Sequence, residues 1–153
     1  MLVAMSRVFE KIIVGDNGAP EAEHAVEVAI SLAESIGAKV VLLGVMAPPS
    51  PEAEAEGYAL EDRTSIKQRL NDHLARSVSA AKSRGVDIVS EVVEGDPEKQ
   101  IEKCASNEGA DLIVVGHRNV SRIRHWLERS TSEALLNKAK ISVLVVHTPA
   151  AKS

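Results

Sequence analysis

At 153 residues and 44% hydrophobic content, the chain is long enough to bury a core and reads as one domain. A net charge of −4 argues against general nucleic-acid binding by bulk electrostatics, and no apolar run is long enough to span a bilayer. Aromatics make up only 2%, so Val, Ile, Leu and Ala must fill the interior, which suits a parallel sheet covered by helices.

In chain order, the first fourteen residues lack a long apolar stretch and are expected not to be a signal peptide. Val8–Val14 reads as a first strand, followed by the turn cluster Gly15, Asp16, Asn17 and Gly18. Pro20 suits a first helical position. Ala22, Ala25, Val26, Ala29, Leu32, Ala33 and Ile36 then recur at helical spacing up to Gly37. Val40–Val45 is a second strand. Ala47–Gly57, with Pro48, Pro49 and Pro51, reads as a loop. A long helix follows, with Ile66, Leu70, Leu74, Val78 and Ala81 as its buried stripe and Gly85 as its stop.

Val86–Val93 is a third strand. Asp96 is placed to cap a helix whose first residue is Pro97, whose inner face is Ile101, Cys104 and Ala105, and which ends at Gly109. Cys104 is the lone cysteine. It precludes an intrachain disulfide, favours the cytosol, and fits a small core residue better than a reactive thiol. Leu112–Val115 is a fourth strand that halts at Gly116. A basic loop follows, carrying His117, Arg118, Arg122, Arg124, His125 and Arg129. Ser130–Lys138 is the last helix, and Ile141–Val146 is a fifth strand.

Strands alternating with helices predict an α/β fold with a parallel sheet, right-handed crossovers and helices on both faces. Ligands of such sheets sit beyond the C-terminal strand ends, where the winding direction reverses. The passage from Leu112–Val115 through a loop to Ser130 would present backbone N–H groups and a positive dipole end to an anion.

Catalytic signatures are absent. There is no G-x-G-x-x-G, P-loop lysine, G-x-S-x-G or His-Glu-x-x-His, and the histidines at 24, 73, 117, 125 and 147 show no metal spacing. A phosphoacceptor reading of Asp16 and Asp96 fails on its lysine, because the fifth strand runs into His147, Thr148 and Pro149. No enzyme and no metal are therefore expected. Slow ATP hydrolysis stays open, although no general base presents itself.

The segment from Asp111 to His147 resembles the nucleotide-binding signature of the universal stress protein family. Gly116 matches its first glycine and Ser130 its hydroxyl, while Asn119 and Arg129 stand where the second and third glycines would be. The stretch KIIVGDNGAPEA resembles the first strand and turn of that family, with Gly18 at the Gly position, Asn17 at the Asp position and Asp16 one residue early. The resemblance spans Val8 to His147. It implies one domain over residues 1–153 and a three-layer, doubly wound sheet of five mainly parallel strands in the order 3-2-1-4-5. It also implies a cytoplasmic homodimer formed through Ile141 to Val146. By that resemblance the candidate nucleotide-binding residues are Asp16, Asn17, Val45, Val115, Gly116, Asn119, Arg129, Ser130 and Thr131.

Each of these has a plainer reading. Asp16 and Asn17 suffice to stabilise a tight turn. Ser130 with Glu133 forms a capping box that needs no ligand. Arg129 either fills the phosphate site or binds an anion through its guanidinium fork. The basic loop is expected to be balanced by the acids at Glu52, Glu54, Glu56, Glu61 and Asp62, and Trp126 to anchor that loop. Two functions follow. One is a regulatory or protective stress protein with an impaired ATP site. The other is a module binding ATP, AMP or a cyclic nucleotide with altered phosphate contacts. Protein partners stay open; no specific nucleic acid and no membrane are expected.

Overall fold

The computed structural model describes residues 8–16, 20–46, 51–55, 59–116 and 141–147. Its elements are β1 (Lys11–Gly15), α1 (Pro20–Ile36), β2 (Lys39–Met46), α2 (Pro51–Ala55), α3 (Ala59–Ser83), β3 (Ile88–Glu94), α4 (Pro97–Glu108), β4 (Leu112–Gly116) and β5 (Ser142–Val146). The five strands form one sheet in the order β3-β2-β1-β4-β5, and each described pairing is parallel. The predicted α/β class and strand order are both found.

Alternation along the strands sorts the core into two layers. Ile12 and Val14 of β1, with Val40, Leu42 and Met46 of β2, face α1 and α3. Ile13 of β1, Val41, Leu43 and Val45 of β2, and Ile113 and Val115 of β4 face α4 through Ile101, Cys104 and Ala105. The small residues of α1 let it lie close to the sheet: Ala22, Ala25, Ala29 and Ala33 are buried along one stripe. α3 approaches closely by a different device. Gly44 of β2 has no side chain, and a Cβ there would stand 2.8 Å from Leu74 Cδ1 and 3.2 Å from Leu70. Leu70 and Leu74 therefore seat directly on the strand.

Element boundaries move where a backbone N–H finds another partner. β1 starts at Lys11 rather than Val8. The N–H groups of Glu10 and Lys11 are spent on the Asp111 carboxylate, at 2.9–3.2 Å, and Val8 is exposed. β3 starts at Ile88 rather than Val86, because the Val86 N–H bonds back to the Ala81 carbonyl at 3.1 Å. That bond closes α3 through Gly85, whose φ of 81° is the left-handed conformation a side chain would strain. Gly109 ends α4 in the same way, with φ 64° and Ala110 N–H on the Ala105 carbonyl at 2.9 Å. β4 gains one residue over its predicted span, since Gly116 pairs with Val146.

Three further expectations are corrected. The predicted loop 47–57 contains the short helix α2, which opens on Pro51 and is otherwise Ala and Glu, residues suited to a helix. Asp96 stands at the N-cap of α4, but its side chain makes no capping hydrogen bond; its contribution is the backbone carbonyl that accepts from Gln100 N–H at 3.0 Å. Ile66 is 40% exposed, not part of the buried stripe of α3. Leu70 and Leu74 already lie over Gly44, near the end of β2, so the preceding turn reaches past the strand. The predicted helix at 130–138 lies outside the described residues, as does the basic loop whose pairing with the acidic segment was expected.

Candidate functional site

The order β3-β2-β1-β4-β5 places β1 beside β4, and the chain leaves these two central strands towards opposite edges. Ile12, Ile13 and Val14 pair with Leu112, Ile113 and Val114. Continued in register, Asp16 comes level with Gly116 at the C-terminal strand ends. This is the crevice that an open α/β sheet offers to a ligand.

Four of the residues singled out from the sequence lie within the described structure, and all gather at these strand ends. Val45 and Val115 are buried on the α4 side, Gly116 is buried as the last residue of β4, and Asp16 follows β1 directly. Asn17, Asn119, Arg129, Ser130 and Thr131 lie outside the described residues.

Asp16 departs from the turn residue read in the sequence. Its backbone N–H donates to the Leu43 carbonyl at 2.8 Å, which extends the β1–β2 ladder by one bond. Its side chain is 1% exposed and falls on the same sheet face as Ile12 and Val14. A carboxylate removed from water needs hydrogen bonds. His73 of α3 supplies one: its Nε2 stands 2.9 Å from Asp16 Oδ2, and the His73 side chain is 20% exposed. The carboxylate accepts, so Nε2–H is the donor.

Sequence reasoning missed His73 because it was read for metal spacing. The usable signal was its position on α3, between Leu70 and Leu74, the two residues that clamp that helix onto β2.

Asp16 and His73 close one end of a groove of about 220 Å³ between α1 and α3. At its other end Arg84 holds both Glu27 and Glu34 of α1, at 2.9 and 3.1 Å, and also donates to Ser31. The guanidinium holds the Glu34 carboxyl below its usual range, chiefly by hydrogen bonding, and the same contacts push the Arg84 pKa up. These pairs are solvent-screened, so they orient the end of α3 against α1 more than they stabilise the fold.

On the opposite sheet face, Cys104 lines a hollow of about 120 Å³ with Glu91, Lys103 and Glu108. Burial pushes its thiol up to about 11, aided by Glu108 and Glu91. At neutral pH it is a thiol, not a thiolate, and a poor nucleophile. No group of three or more His, Cys, Asp or Glu side chains suited to a metal ion occurs among the described residues. Among the same residues no helix is long and apolar enough to cross a membrane.

Comparison with known proteins agrees with this fold. The universal stress protein family matches residues 9–147, nearly the whole chain. The chain belongs to the universal stress protein family. Among curated relatives, the stress response protein NhaX of Bacillus subtilis is 28% identical, covering 90% of this chain and 97% of the relative. Universal stress protein MJ0531 of Methanocaldococcus jannaschii is 29% identical, covering 93% and 84% respectively.

Among solved structures, a universal stress protein from Burkholderia pseudomallei superposes with a TM-score of 0.68 at 25% identity, covering 92% of this chain and 96% of that one. A universal stress protein in complex with cAMP superposes with a TM-score of 0.57 at 28% identity, covering 92% and 98%. In this universal stress protein the strand-end crevice has the buried Asp16 carboxylate and the part-buried His73 imidazole behind it.

Proposed function

We propose that this universal stress protein is a cytoplasmic regulatory or protective module without catalytic turnover, whose strand-end crevice takes an adenine nucleotide but handles a triphosphate poorly. The observation that carries the reading is the crevice itself: β1 and β4 end side by side, with Asp16 and Gly116 at the same level. The nucleoside side would rest on Asn17, Val45, Val115 and Gly116. The phosphate side would rest on Asn119, Arg129, Ser130 and Thr131, where two of the family's glycines are replaced. A side chain in place of either glycine takes room that a phosphate would need against the backbone. The likeness to the cAMP complex favours a ligand with a single phosphate.

Calorimetry on nucleotide-free protein tests this. Binding of cAMP or AMP is expected, with Mg-ATP weaker by about ten- to a hundredfold, the loss set by one missing charge-assisted contact. A low-micromolar dissociation constant for Mg-ATP would overturn the triphosphate part, and no binding of any adenine nucleotide would overturn the whole. Mass spectrometry of the denatured protein as purified gives an independent reading.

The assembly we propose is a homodimer through β5. Both β3 and β5 are sheet edges. β3 carries Glu91 and Glu94, charges that discourage edge pairing, whereas β5 reads SVLVV and leaves Leu144 36% exposed. A twofold contact between two such edges would cover the free backbone groups and close on itself. Light scattering is expected to give a dimer at micromolar concentration. Val145→Pro, which interrupts the edge, is expected to give a folded monomer. A monomeric wild-type protein, or a dimer unaffected by the proline, would reject this interface.

A further inference from the structure

We propose that His73 is a positioning residue for the nucleotide crevice: by holding the Asp16 carboxylate from behind the sheet, it sets the direction in which the chain leaves β1. This deepens the function proposed above and rests on it. Asp16 is the last described residue before segment 17–19, which joins β1 to α1, and it is held through both its backbone and its side chain. Its N–H is fixed to Leu43 in the sheet, and its carboxylate to His73 on α3.

The side chain lies on the α1 and α3 side of the sheet and is 1% exposed, so it is poorly placed to meet a ligand beyond the strand ends. Under the function proposed above, the direct nucleoside contact would fall to Asn17, whose amide both donates and accepts. His73 is itself held, because Leu70 and Leu74 clamp its helix onto Gly44. The charged groups facing the pair from the groove walls are Glu23 and Glu27 of α1 and Arg84, in the turn just after α3; Arg84 is engaged with Glu27 and Glu34. The contacts thus run from α3, through His73 and Asp16, to the end of β1.

The test uses His73→Ala and His73→Gln in the full chain. Gln keeps a side-chain N–H donor; Ala does not. Hydrogen exchange on nucleotide-free protein is the first readout. Segment 17–19 is expected to exchange about tenfold faster in His73→Ala than in wild type, with β5 unchanged and with recovery in His73→Gln. Unchanged exchange at 17–19 in a folded His73→Ala protein would overturn the positioning role. An acceleration spread over the whole sheet would also overturn it, since that is general destabilisation.

Calorimetry with cAMP is the second readout. Affinity is expected to fall about tenfold in His73→Ala and to return in His73→Gln. Unchanged affinity in His73→Ala would overturn the link to the crevice. Should wild-type protein bind no adenine nucleotide, the proposed function fails, and the exchange readout still decides whether His73 positions the chain.

Discussion

The double variant Arg129→Gly, Asn119→Gly is expected to bind Mg-ATP about ten- to a hundredfold more tightly than the wild-type chain, one or two decades being what a recovered charge-assisted contact contributes. The reason lies in what the phosphate loops of such sheets use, namely backbone N–H groups that phosphate oxygens reach directly. Asn tolerates the left-handed conformation that glycine adopts, so Asn119 is a problem of space more than of backbone. Under the proposed function Arg129 would be the larger obstacle, because it puts a long side chain at a position where the family has glycine. Isothermal titration with Mg-ATP measures the effect, with circular dichroism as the check on folding. A loss of affinity in the single variant Arg129→Gly would reverse the assignment. It would show the guanidinium acting as an anion ligand, in the bidentate manner that arginine favours.

Leu74→Ala is expected to destabilise the fold by about 2–5 kcal/mol, the range for truncating a fully buried leucine. Leu74 is 1% exposed and rests on Gly44, where its Cδ1 occupies the place that a larger residue would fill with its own side chain. Gly44 has no side chain that could move into the gap. Urea unfolding followed by circular dichroism gives the number. A loss below about 1 kcal/mol would mean that α3 slides to fill the cavity, short of the cost a retained cavity carries. In that event His73 moves with the helix, and its contact with Asp16 should weaken in parallel.

Much of the architecture was legible in the residues alone. Seven apolar positions at helical spacing outlined α1, and the glycines after α1, α3 and α4 marked three helix ends correctly. Apolar runs of β-branched residues marked the strands, and their alternation with helices implied a parallel sheet. These signals are local: each depends on periodicity or on one backbone conformation, and neither needs a distant partner. The strand order came from the family resemblance and not from the pattern, because periodicity does not say which strands become neighbours.

What escaped the sequence reading depended on partners far along the chain. The start of β1 was set by the Asp111 carboxylate, about a hundred residues away in sequence. The start of β3 was set by a helix-closing bond that took the Val86 N–H from the ladder. Asp16 read as a turn residue because Gly15, Asn17 and Gly18 surround it. Whether a carboxylate faces water or the core depends on which sheet face its strand parity selects and on what packs there. Only the tertiary structure brings His73, 57 residues on, to 2.9 Å from it. Local chemistry thus determined which elements form, whereas the pairing of buried polar groups was decided by packing, because a desolvated carboxylate is stable only where the fold delivers a donor.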